Sequence, residues 1–115
     1  MRNISFQLTT AQIRNRSKTV TRRLGWKNLK VGERLQGCVK CMGLNPGEKL
    51  EKLAVIEVVS ASRERLNTMV KLDLASECRR EGFPHYSPRL FVAMFCEHMK
   101  CKPGTVVTRI EFKYV

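Results

Sequence analysis

The sequence predicts an α+β domain in which several short strands pack around two or three helices. Three observations carry that expectation: two-residue alternation of apolar and polar side chains at both ends of the chain, one long apolar run in its middle, and a helical stripe of large apolar residues before the last segment.

Asn3 to Leu8 sets Ile4 and Phe6 against Asn3, Ser5 and Gln7, the period of a half-buried strand. A short helix follows, with Thr9 or Thr10 as its cap, Ala11, Gln12 and Arg14 as acceptable helix formers, and Asn15 or Ser17 at its end. Thr19-Val20-Thr21 is a β-branched run that favours extended backbone, and Gly25 breaks it, so the hinge between helix and strand falls at Lys18. Gly32 marks a turn into a strand running to about Met42, and the stretch from Gly43 to Lys49, with Asn45, Pro46 and Gly47, reads as an exposed loop. Leu53 to Ala61 is apolar on both faces apart from Glu57. It predicts a central strand in which Glu57 needs a partner or a position at the rim. Asp73 is placed to cap a helix through Arg80, with Gly82 as its left-handed stop. Ser87-Pro88 is a strong helix start, because the hydroxyl can cap while proline takes the first helical position. Leu90, Phe91, Met94, Phe95 and Met99 then fall on one core-facing stripe, which Lys100, Lys102 and Pro103 close. Val106 to Val115 alternates again and predicts a closing strand with one buried face.

At 115 residues, with no repeat, low-complexity segment or linker, residues 1–115 are expected to form one domain. A chain of this length buries roughly two thirds of its unfolded surface. The longest apolar run, Leu90 to Cys96, falls short of the ~20 residues that cross a bilayer, and the N-terminus has no apolar leader core. A soluble cytoplasmic protein without a membrane partner is the expectation. Five cysteines cannot pair completely within the chain, which points to reduced thiols. Cys38 and Cys41 have zinc-like spacing, and Cys96, His98 and Cys101 offer further soft ligands. Side chains three apart on a strand diverge, however, and there is no second tight pair. Small hydrophobic cysteines, with no metal and no cofactor, are expected.

Charge is concentrated. Residues 1 to 40 carry ten Lys and Arg against the single acid Glu33, a net +9 of the chain's total +12. Such a field steers polyanions and releases counterions when phosphates are neutralised, so nucleic acid is the default partner and a solvated basic face the plain alternative. Its focus is Arg16-Ser17-Lys18-Thr19-Val20-Thr21-Arg22-Arg23-Leu24, which holds no acid. Arg16, Arg22, Arg23 and Lys27 are candidate nucleic-acid contacts. Trp26, the only tryptophan, is either a stacking platform for an unpaired base or a core anchor.

Taken in order, Ser17-Lys18-Thr19-Val20-Thr21-Arg22-Arg23, Val31-Gly32-Glu33-Arg34-Leu35, Glu81-Gly82-Phe83, Ser87-Pro88, Phe91-Val92 and Thr108-Arg109-Ile110-Glu111-Phe112 closely resemble the small ASCH domains of bacteria and their phages. The resemblance covers nearly the whole chain, and the ordered set carries it rather than any one piece. It implies a PUA-like fold, a compact β-barrel flanked by helices, whose relatives bind RNA or modified nucleotides. It implies further that the basic segment lines a cleft facing the glutamate of the Glu-Gly-Phe turn. One branch of the family hydrolyses the acetyl amide of acetylated cytidine with a lysine, a threonine three residues later and a distant glutamate. By motif these fall on Lys18, Thr21 and Glu81. The loop from Gly43 to Lys52, the extra cation Arg22, and Phe91 with Phe95 depart from that branch and imply a different pocket.

The chemistry can be weighed residue by residue. Amide hydrolysis needs a nucleophile, a base, donors for the oxyanion and an acid for the leaving amine. Thr21 is the nucleophile candidate. Lys18 serves as base if burial and the cations Arg16, Arg22 and Arg23 lower its pKa, whereas Glu81 opposes that shift. Residues three apart on a regular strand face opposite ways, so Lys18 and Thr21 converge only if Lys18 lies ahead of the strand or the backbone bulges. A clamp for phosphates, with Glu81 as a structural ion pair, is the competing reading. Phe83 and Tyr86 could wall a pocket, and His85 could shuttle a proton or simply face solvent. A non-catalytic RNA-binding module is the main rival, and RNA cleavage in the same cleft a weaker one.

Overall fold

In the computed structural model, which describes residues 1–115, the alternating N-terminal segment forms strand β1 (Arg2–Ser5), and the chain turns through Thr9 into the short helix α1 (Thr10–Arg14). Strand β2 (Val20–Arg23) follows, then β3 (Arg34–Cys38) and the long β4 (Lys52–Arg65). Helices α2 (Thr68–Lys71), α3 (Ala75–Arg80) and α4 (Pro88–Met99) lead to the last strand, β5 (Val106–Tyr114). The strands make one five-stranded sheet in the order β1-β3-β4-β5-β2, with β1 parallel to β3 and the other neighbours antiparallel.

The sheet curls into a half-barrel. The β4–β5 register slips between Val58 and Ser60, leaving Val59 40% exposed in a strand that is otherwise apolar there, and such an irregularity bends and twists the strand that carries it. The two edges, β1 and β2, share no backbone ladder. Arg23 on β2 instead reaches across to the Ser5 carbonyl on β1 at 2.6 Å, with its guanidinium carbon 4.9 Å from the centre of the Phe6 ring.

Two apolar cores follow from the alternation and the helical stripe. Ile4, Phe6, Leu35, Ile56, Ile110 and Phe112 fill the curl beneath Ile13 of α1. Leu66, Met69, Cys78, Phe91, Phe95 and Val107 form the second core, where the helices pack against the far end of the sheet. Each such side chain contributes about 1.5–3 kcal/mol on burial. Helix α4 begins as its sequence dictates: the Ser87 hydroxyl accepts from Leu90 N at 3.1 Å, and Pro88 takes the first turn. No helix is long and apolar enough to cross a membrane.

Several boundaries differ from the sequence expectation. Strand β3 stops at Cys38 rather than Met42, because its register with β4 breaks between Gly37 and Cys38 and the chain leaves the sheet. Strand β4 runs on to Arg65, through a polar stretch, because β5 pairs alongside it as far as Val106. Helix α2 has no strong local signal. Asp73 does not cap α3; it adopts a left-handed φ of 51° and leaves Leu74 in the cap position. Strand β5 buries Val107 on one face and Thr108 on the other, so its start is covered on both sides. Glu57 finds its partners across the ladder, in Arg34 at 3.2 Å and Lys113 at 3.4 Å.

Candidate functional site

Lys18 lies in the link between α1 and β2, and that link is tied down on both sides. Its backbone N–H donates to the Gln12 carbonyl at 3.2 Å, its carbonyl accepts from the Tyr114 hydroxyl at 2.6 Å, and Thr19 N–H donates to the Arg80 carbonyl at 2.8 Å. The last of these brings the end of α3, and with it Glu81, against the start of β2. Gly82 then turns the chain away with a φ of 97°, a conformation that a side chain disfavours.

The result is a buried ion-pair network. Lys18 and Glu81 are each only 3% exposed; Lys18 Nζ donates to Glu81 Oε1 at 2.9 Å and to the Glu81 backbone carbonyl at 2.5 Å. The other oxygen of Glu81, Oε2, accepts from Arg22 Nη1 at 2.9 Å. Arg22 Nη2 reaches Glu77 Oε1 at 2.6 Å, and Arg109 holds both oxygens of Glu77 at 2.6 and 3.1 Å. Arg80 completes the chain between Glu77 and Glu111. Thr21 and Arg23 share the other face of β2, as the two-residue period requires. There the Thr21 hydroxyl accepts from Arg23 Nε at 3.0 Å.

Electrostatics in this network are set by burial and by how charges are shared. Burial pushes the Lys18 ammonium below the ordinary lysine value; Glu81 works against that shift, and Arg23 and Arg22 add to it. Burial draws Arg23 down to about 10, which leaves it a full cation at neutral pH. For Glu77, burial alone would raise the carboxyl, but Arg109 and Arg22 outweigh it and hold it at about 2.

Lys18, Thr21, Arg22, Arg23 and Glu81 all border one cavity of about 210 Å³. Phe83, Phe91, Met94 and Phe95, with Leu8 and Met99, supply its apolar lining. That volume lies below the ~300–1,000 Å³ typical of sites for drug-sized molecules.

The expected residues divide. Lys18, Thr21 and Glu81 all border this cavity, and Lys18 precedes β2; Lys18 bonds Glu81, whereas Thr21 bonds Arg23 on the other face of the strand. Arg22 is not a surface cation. It is 3% exposed and taken up by Glu81 and Glu77, so the apparent lack of acidic partners in the basic segment is made good by α3. Arg23 points into the cavity and latches the sheet edges rather than lying on a surface track. Arg16, Trp26 and Lys27 do not border the cavity. Arg16 and Lys27 are exposed, while Trp26 packs against the first core with the Arg2 guanidinium 4.6 Å from its ring centre. Glu77 and Arg109, the outer members of the network, escaped the sequence reading. The signal available was the four-residue spacing of Glu77 and Glu81, which puts two carboxylates on one helical face. His85 lies outside the cavity, and His98 borders it.

No protein-family model and no curated protein sequence matches this chain. Solved structures do. An ASCH domain from Lactobacillus crispatus JV V101 superposes with a TM-score of 0.62, covering 98% of this chain and 78% of that one at 15% identity. The fold is ASCH-like. A protein of Enterococcus faecalis V583 assigned to DUF984 agrees, with a TM-score of 0.59, 14% identity, and coverage of 95% of this chain and 68% of the other. At such identities the ASCH-like likeness is one of backbone architecture, and the chemistry of the cavity has to be argued from its own side chains.

Proposed function

We propose that this ASCH-like domain binds an unpaired, modified cytosine and hydrolyses the acetyl amide on its exocyclic nitrogen. The observation that carries this reading is the placement of Lys18: buried, bordering the same cavity as Thr21, with a carboxylate that it shares with Arg22. Lys18 Nζ has two hydrogen-bond acceptors, both supplied by Glu81. Burial lowers the Lys18 pKa, which brings the neutral amine, with its lone pair for a proton, within easier reach.

The steps balance with these groups. Thr21 Oγ attacks the acetyl carbonyl carbon while its proton passes to Lys18 Nζ, and the Arg23 guanidinium, already bonded to that hydroxyl, faces the developing oxyanion. Collapse breaks the carbon–nitrogen bond, and Lys18 returns the proton to the leaving amine. Water then attacks the acetyl-threonine ester, its proton goes to Lys18 and on to Thr21 Oγ, and acetic acid is released. Glu81 holds Lys18 in place, and the aromatic wall of Phe83 and Phe91 supports the base. Purified protein mixed with free acetylated cytidine should release acetate and cytidine. Folded protein without turnover would remove this reading.

Arg22 acts as a positioning residue, because it occupies the second oxygen of Glu81 and moderates that carboxylate's pull on Lys18. In Arg22→Met, Glu81 acts on Lys18 alone, and the lysine pKa rises. The base is active when deprotonated, so the rising limb of the pH–rate profile should move to higher pH, with the rate recovering in alkaline buffer. Arg22→Lys should restore part of the original profile. An unmoved limb in a folded variant would leave Arg22 with a purely structural task.

A non-catalytic RNA-binding reading draws on the charge of +12 and on exposed cations such as Arg16 and Lys27, which lie away from the cavity. It requires RNA affinity that falls steeply with salt. The hydrolytic reading does not require this for a free nucleoside.

A further inference from the structure

A second concavity, about 650 Å³, lies between α1 and the loop joining α3 to α4. Asn15, Ser17, Arg79, Phe83, His85 and Tyr86 border it, and no carboxylate does. Phe83 borders the first cavity as well, so the Glu81-Gly82-Phe83 turn is the wall between the two.

We infer that this groove is a subsite for the nucleotide adjoining the base in the first cavity, which makes single-stranded RNA the preferred substrate. The inference rests on the cavity being a nucleobase pocket. Three features support the choice of occupant. The half-buried rings of Tyr86 and Phe83, with centroids 5.0 Å apart, line the groove, backed by Phe91 of the second core at 5.7 Å from Phe83, and unpaired bases stack on such exposed aromatic edges. Arg79 is exposed and makes no ion pair, in contrast to Arg80 beside it, which Glu77 and Glu111 hold. Its guanidinium is therefore available to a phosphate. Asn15 uses its carbonyl oxygen on Ser17 N–H at 2.9 Å, which leaves its amide N–H groups and the Ser17 hydroxyl as further donors. The rim is also firm. Gln12 donates to the Gly82 carbonyl at 3.1 Å, and a Cβ on Gly82 would meet the Gln12 side chain at 3.1 Å. Volume agrees, since the groove exceeds the cavity threefold and falls within the range of organic-ligand sites.

The test compares the equilibrium affinity of free cytidine with that of a single-stranded trinucleotide with cytidine at its centre, for the wild type, Arg79→Ala, Tyr86→Ala and Tyr86→Phe. The trinucleotide should bind wild type on the order of tenfold more tightly than the nucleoside, a factor within the range of one base stacked on an aromatic ring. Arg79→Ala and Tyr86→Ala should each lose most of that advantage while nucleoside affinity stays unchanged, and Tyr86→Phe should keep it. Arg79 is exposed and outside both cores, so its variant remains informative if Tyr86→Ala misfolds. Equal affinity for nucleoside and trinucleotide, or variants that weaken both alike, overturns the subsite and leaves the cavity reading standing. Absence of nucleoside and trinucleotide binding overturns both.

Discussion

Glu81→Gln is expected to lose about 3–5 kcal/mol of folding stability, the magnitude seen when one partner of a buried ion pair is removed. Glutamine keeps the shape of the side chain but withdraws the only negative charge that Lys18 touches and one of the three carboxylates paired with Arg22. Arg22 already has a buried Nε without a hydrogen-bond partner, so it has little reserve against a further loss. The penalty should shrink as pH rises, because Lys18 can shed its proton and Arg22 cannot. Denaturant midpoints measured at several pH values check this, given an unchanged dependence on denaturant. Combining Lys18→Met with Glu81→Gln should cost less than the sum of the single changes, since the pair fails as a unit. A loss below about 1 kcal/mol, the ceiling typical of exposed pairs, would mean that water reaches the carboxylate and that the site is not dry.

Thr21→Ala should lower single-turnover hydrolysis of the acetyl amide by about a thousandfold or more, the scale on which enzymes lose a nucleophile acting in concert with its base. A thousandfold corresponds to about 4 kcal/mol of barrier. Thr21 is 3% exposed and accepts from Arg23, so alanine also leaves that guanidinium short of one acceptor and costs roughly 1 kcal/mol of stability. The contrast that separates the two effects is Thr21→Ser. Serine restores both the acceptor and the nucleophile and should recover most of the rate, whereas Thr21→Val, which keeps the volume, should not. Equal rates for the serine and valine variants would assign the reaction to a directly activated water.

The parts of this structure that were legible in the sequence are those fixed by local rules. Ile4 and Phe6 alternate with polar neighbours, and both are buried under α1. Ser87-Pro88 starts α4 with the hydroxyl bond its position calls for, and Gly82 adopts the left-handed turn that ends α3. The end of β4 was not legible, because Ser62 to Arg65 are polar and are held in the sheet by β5, a partner that local propensity does not describe. The site was half legible. Motif resemblance singled out Lys18, Thr21 and Glu81 as candidates, and they border one cavity, but Arg22 read as a phosphate ligand because the carboxylates it hydrogen-bonds lie more than fifty residues away in the chain. A buried arginine and an exposed one look alike in sequence; only the helix that covers β2 distinguishes them.

Hydrolysis by this site requires that Lys18 be a base held ready by burial and not a permanent cation clamped by Glu81. Nuclear magnetic resonance of the Lys18 side chain, followed through an alkaline titration of the folded protein and assigned with Lys18→Met, measures this without reference to any substrate. The midpoint is expected below the ordinary lysine value of 10.5 and should rise in Arg22→Met. A midpoint at or above 10.5 in the wild type would contradict it and leave Lys18 and Glu81 as a structural ion pair.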